Sequence, residues 1–103
     1  MANARGALTT AAATIYTAPA GGAKITMIQI ANVDGVNDVD VTVQWRDVSA
    51  ANVITRLCFN ATVAAKDSLS VQAGGLVLDE GDSIQASASA SGDAEITICA
   101  IEG

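Results

Sequence analysis

The stretch Val39-Asp40-Val41-Thr42-Val43-Gln44-Trp45-Arg46 decides the fold class. Side chains alternate across an extended chain, so Val39, Val41, Val43 and Trp45 share one face and Asp40, Thr42, Gln44 and Arg46 the other. In a helix, with 3.6 residues per turn, the same four apolar residues would not form one stripe. Valine and threonine also fit a pleated surface better than a helical one, where their branched side chains crowd the preceding turn. The stretch is expected to be a half-buried strand with Trp45 on the core side.

The same period spreads in both directions. Val53, Thr55, Leu57, Phe59, Ala61 and Val63 alternate with Ile54, Arg56, Cys58, Asn60 and Thr62. Ile84, Ala86, Ala88 and Ala90 alternate with Ser83, Gln85, Ser87 and Ser89, and Ile96, Ile98 and Ala100 with Thr97, Cys99 and Ile101. Alanine favours helix in isolation, but the strict alternation with serine leaves no apolar helical stripe, so this segment too reads as strand. Thr14 to Thr17, Lys24 to Val33, Leu69 to Ala73 and Leu76 to Leu78 complete the set. Between the segments lies turn chemistry: Pro19-Ala20-Gly21-Gly22, Asp34-Gly35, Gly74-Gly75, Glu80-Gly81-Asp82 and Ser91-Gly92-Asp93.

Many short strands with no amphipathic stretch of helical length imply an all-β domain, a single antiparallel β-sandwich of about eight strands, jelly-roll-like. Val41, Val43, Trp45, Leu57, Phe59, Ile84, Ile96 and Ile98 are its expected core. Residues 14–103 form this domain. Residues 1–13, Met1 to Ala13, are rich in Ala and Thr and lack turn punctuation after Gly6, so they are read as an extended N-terminal arm or an unstructured terminus. Leu8 is the one sizeable apolar residue of the arm and Arg5 its one charge, which makes them its candidate contact residues.

Composition sets the energetics. Half of the 103 residues are apolar, but 21 are alanines. Alanine removes little area from water, and burial contributes about 25 cal/mol per Å². A lone monomer is then marginal, and association with further copies is expected, a homotrimer first, because a closed ring uses one patch repeatedly. Five basic against 11 acidic residues give a net charge of −6, and aromatic residues make up 3%. Nucleic-acid binding needs cationic phosphate contacts and stacking faces, so neither it nor docking on anionic lipid is expected. The segment from Ala7 to Pro19 is broken by threonines and offers no apolar run of signal-peptide type. A soluble product made in the cytoplasm is the expectation.

Chemistry finds little support. With no histidine, acid and base work would fall to carboxylates, Lys24, Lys66, Tyr16 and the cysteines, none beside a recognisable activator. Ser68, Ser70 and Ser83 lack a nucleophile-elbow context, and Gly21-Gly22 and Gly74-Gly75 lack the lysine spacing of a phosphate loop. No catalytic or cofactor-binding residue is assigned, and an enzyme is not expected. Asp34 to Asp40 and Asp79 to Asp82 carry the oxygen ligands calcium uses, but the loop spacing is not that of a helix-loop-helix site, so they read as solvated turns with no metal. Cys58 and Cys99 lack zinc-ligand spacing and read as free, buried thiols, a disulfide between them being the alternative. Trp45 and Phe59 fall on apolar faces, which leaves Tyr16, packing its ring with its hydroxyl free, as the one aromatic for a sugar.

The order Ile15-Tyr16-Thr17-Ala18-Pro19-Ala20-Gly21, then Ile28-Gln29-Ile30-Ala31-Asn32-Val33-Asp34-Gly35, then Leu76-Val77-Leu78-Asp79-Glu80-Gly81-Asp82-Ser83-Ile84 resembles small β-rich structural proteins of tailed bacteriophages. The likeness runs from about Ile15 to Ile101 and consists mostly of turn chemistry. It implies a virion component, made in the bacterial host: first a capsid decoration or cement protein that binds the major capsid protein, with Arg5 and Leu8 as shell or subunit contacts. A head-to-tail or tail component, adaptor or receptor-contacting tip, is the alternative, and a non-viral binding module the third reading.

Overall fold

The computed structural model describes residues 2–71 and 75–102. Met1 of the expected arm, Ala73 at the end of one expected strand and Gly74 of one expected turn lie outside them. Nine strands follow in chain order: β1 (Ala2–Ala7), β2 (Ala13–Thr17), β3 (Ala23–Asn32), β4 (Val39–Asp47), β5 (Val53–Val63), β6 (Ser68–Val71), β7 (Leu76–Leu78), β8 (Ser83–Ala88) and β9 (Ala94–Glu102). The one helical segment among the described residues is a 3-10 turn, Val48–Ala50, in the β4–β5 connection. Ala51 and Asn52 continue that hairpin in left-handed conformation (φ 60° and 63°).

Two antiparallel sheets pack face to face. One has the order β1-β9-β3-β6, with β7 also on β3, and the other the order β2-β8-β4-β5. Strands β6 and β7 lie end to end along β3, Val71 opposite Ile28 and Leu76 opposite Ile25, so they act as one interrupted strand. Except at the β4–β5 hairpin and within that interrupted strand, each connection carries the chain to the other sheet. Between the sheets Ile25, Ile28, Ile30, Val39, Val41, Val43, Leu78, Ile84, Ile96 and Ile98 are buried. The alternation read from sequence thus selects the inward face correctly along β4, β8 and β9.

β5 departs from it. Its register against β4 runs Val63 on Val39 and Ala61 on Val41, then Cys58 on Val43, then Arg56 on Gln44. Each slip inserts one residue into β5, and an inserted residue reverses the face of everything beyond it. Asn60 supplies the first bulge in left-handed conformation (φ 49°), which asparagine tolerates better than most residues. Phe59 is therefore not core: it is 65% exposed. Trp45 and Leu57 are half-buried and pack against the core from its rim.

The N-terminal arm is also corrected. Ala2–Ala7 is an edge strand, in register with β9 from Ala2 on Ala100 to Ala7 on Glu95. Its small residues decide this, since Ala2, Ala4 and Gly6 face inward where bulk would hold the sheets apart, and the Ile15 Cδ1 atom comes to 3.7 Å of the position a Gly6 Cβ would occupy. Leu8 follows, 1% exposed, with its N–H donating to Ala94 O at 2.8 Å. Its methyls are in this chain's own core and are not available to a shell or a neighbouring subunit.

Candidate interaction surface

The three stretches that carry the phage resemblance are joints of the fold. Two of them meet: Ala18 N–H donates to Asp82 O at 2.8 Å and Gly81 N–H to Ala18 O at 3.1 Å. The buried Asp82 carboxylate accepts from Val48 N–H at 2.9 Å and Asp79 N–H at 3.0 Å, which ties both turns to the β4–β5 connection. In the third, buried Asn32 donates Nδ2–H to Val63 O at 2.9 Å and Asn37 O at 3.0 Å and accepts Asp34 N–H at 2.8 Å. Asp34 accepts from the N–H groups of Val36 and Asn37, which holds its carboxyl below the usual carboxylate range. Asp93 beside it is pushed up, by loss of water and then by the Asp34 charge.

Other candidate groups are also accounted for structurally. Tyr16 is buried, but its hydroxyl is not free: it donates to Glu102 Oε2 at 2.7 Å. Cys58 and Cys99 are free thiols and half-buried, and burial pushes the Cys58 thiol up. Among the described residues no group of three or more Cys, Asp or Glu side chains is placed to hold a metal ion. Arg5 points outward from β1 and lines an open groove of about 540 Å³ with Glu95 and Thr97.

One surface stands out by composition. In a regular strand residues three apart point to opposite faces. The β5 bulge between Arg56 and Cys58 removes that opposition, and the Arg56 guanidinium lies 5.6 Å from the Phe59 ring centroid on the outside of the sheet. Arg56 pairs across the ladder with Gln44 and Ile54 with Arg46, so Arg46 and Arg56 are diagonal neighbours on the same face. Periodicity misses this surface because it assigns Phe59 to the core. The signal that could have found it is Asn60, a turn-forming residue that interrupts Leu57-Cys58-Phe59-Asn60-Ala61, otherwise apolar.

No family model matches the chain, and neither a curated protein nor a solved structure matches it.

Proposed function

We propose that this chain is a non-enzymatic structural protein of a tailed-bacteriophage virion, first a capsid decoration or cement protein that binds and stabilises the major capsid shell as a homo-oligomer, a trimer first. The observation that carries the reading is the use made of the resembling stretches. Ile15 to Gly21 and Leu76 to Ile84 interlock through Ala18, Gly81 and Asp82, and Ile28 to Gly35 braces the opposite end through Asn32 on the Val63 carbonyl. In this chain the resembling stretches are turns that lock strands together, and their polar residues Asn32, Asp34 and Asp82 are occupied in holding loops, as suits a structural part. We read the winding, with β6 and β7 as one strand, as a jelly roll, an architecture that capsid proteins use. The exposed Phe59 beside Arg56 adds a surface suited to another protein, since aromatic and arginine side chains dominate the centres of interfaces.

Purified protein added to shells lacking it tests the proposal. Regularly spaced, stoichiometric labelling of the shell is expected. Labelling of one vertex transfers the chain to the head-to-tail or tail reading, and no binding to any particle, together with hits on a glycan array, to the binding-module reading.

A further inference from the structure

We infer that the Phe59, Arg56 and Arg46 surface docks head-to-tail on the aspartate-bearing loop end of a second copy of this chain. The inference rests on the self-association part of the proposed function and is independent of where on a particle the assembly sits.

The chain commits its single phenylalanine to solvent, 65% exposed, and does so by two register slips in one strand. Bulges re-aim side chains, and they also spoil a strand edge for ladder extension, so β5 is poorly built for edge-to-edge strand pairing. A side-on contact through the Phe59 ring is left. Two of the three arginines flank it, and the half-buried Ile54 lies opposite Arg46. The carboxylate on this face of β4, Asp40, lies six residues from Arg46, about 20 Å at roughly 3.3 Å per residue. It accepts the Thr62 hydroxyl at 2.7 Å. The surface is apolar and cationic on a chain of net charge −6.

Charge selects the occupant. A two-fold contact of this face with itself would bring four guanidinium groups together, which like-charge repulsion disfavours. The complement is present at the far end of β4. There the 33–38, 64–67 and 89–93 connections carry Asp34, Asp38, Asp67 and Asp93 against one cation, Lys66. These loops are braced by Val33 N–H to Asp93 O at 2.8 Å, Asn32 N–H to Asp67 O at 2.9 Å and Lys66 N–H to Asp34 O at 3.2 Å. From Val39, beside them, to Arg46 is seven residues, about 23 Å at the same rise. Asp47 and, in the 79–82 turn, Asp79 and Glu80 also lie at the Arg46 end, but Asp47 alternates to the other face of β4 and the turn stands off the outward face that carries Arg46, Arg56 and Phe59. A cationic face and an acidic loop end on one chain favour a heterologous contact, which closes as a ring or continues as a filament. Arginine pairs with carboxylates through two parallel hydrogen bonds, which fixes orientation as well as affinity.

Sedimentation equilibrium of the pure chain tests this. Wild type is expected to gain mass with concentration, and to lose that gain as salt rises from about 50 mM to about 500 mM, where the screening length shrinks to a few ångströms. Phe59→Ala is expected to weaken association at least about tenfold, as a truncated interface centre does. The charge reversals Arg46→Glu with Arg56→Glu, and separately Asp67→Lys with Asp93→Lys, are each expected to give monomers. Mixed one to one they restore association, which misfolding of either could not produce. Association untouched by Phe59→Ala and by both reversals overturns the assignment and leaves self-association standing. A wild-type monomer up to its solubility limit overturns both. A monomer whose shell binding is lost in Phe59→Ala gives the surface to the shell instead, and also overturns it.

Discussion

Tyr16 and Glu102, 86 positions apart in sequence, join the two sheets: the Tyr16 hydroxyl on β2 donates to Glu102 Oε2 on β9 at 2.7 Å. The ring is buried between the layers, opposite Ile84, while its oxygen reaches the end of the other sheet. Loss of water around the phenol, then the hydrogen bond and charge of Glu102, pushes its pKa from 10.0 up to about 12. The folded state therefore holds the phenolic proton more tightly than the unfolded chain. The stabilisation is full below pH 10 and is lost as pH rises through about 12. Thermal midpoints measured across this range should fall more steeply for wild type than for Tyr16→Phe. Near neutral pH Tyr16→Phe should cost about 1 kcal/mol, since the acceptor Glu102 stays hydrated when its donor is removed.

Leu8 tests the correction of the N-terminal segment. Leu8→Ala should lower the unfolding free energy by about 2–5 kcal/mol, the range for a buried leucine, as read from urea titration. Removal of residues 2–8 takes the whole β1 ladder as well and should abolish cooperative unfolding. A truncated chain that melts like the full one would return the segment to an arm.

Phe59 and Asn60 form a second pair of expectations. Phe59→Ala should cost less than about 1 kcal/mol, against about 3–5 kcal/mol for a buried aromatic ring, because little of it leaves water on folding. Asn60→Val should cost about 1–2 kcal/mol, since a β-branched side chain strains at a φ of 49°. Asn60→Gly, free of that strain, should stay close to wild type in the same urea titration.

Gly22 and Gly92 separate backbone strain from collision. Both have positive φ, 79° and 81°, so alanine is strained at either. At Gly22 a Cβ would sit 2.6 Å from Leu78 O, whereas at Gly92 nothing lies within 4 Å. Gly92→Ala should cost about 1 kcal/mol and Gly22→Ala distinctly more, since a backbone carbonyl of the β7–β8 turn must move. Equal melting temperatures for the two variants would contradict the close approach.

The all-β class, most strand positions and much of the core were legible in the residue order, because period-two alternation is a local property that any sheet with one buried face must show. Val53–Val63 and Leu76–Leu78 are strands with the ends their sequences announce, and Val41, Val43, Ile84, Ile96 and Ile98 are fully buried. Tertiary structure alone decided which edge Ala2–Ala7 would complete, since Ala2, Ala4 and Gly6 are too small to announce a buried face in the sequence and become one only when the segment pairs with β9. It alone decided the exposure of Phe59, because a bulge is a relation between two strands and the residues of β5 do not state how many of them face each residue of β4. For the same reason the Arg56–Phe59 contact and the Tyr16–Glu102 bond were not legible: each depends on a register or a layer crossing that exists only once distant segments have paired.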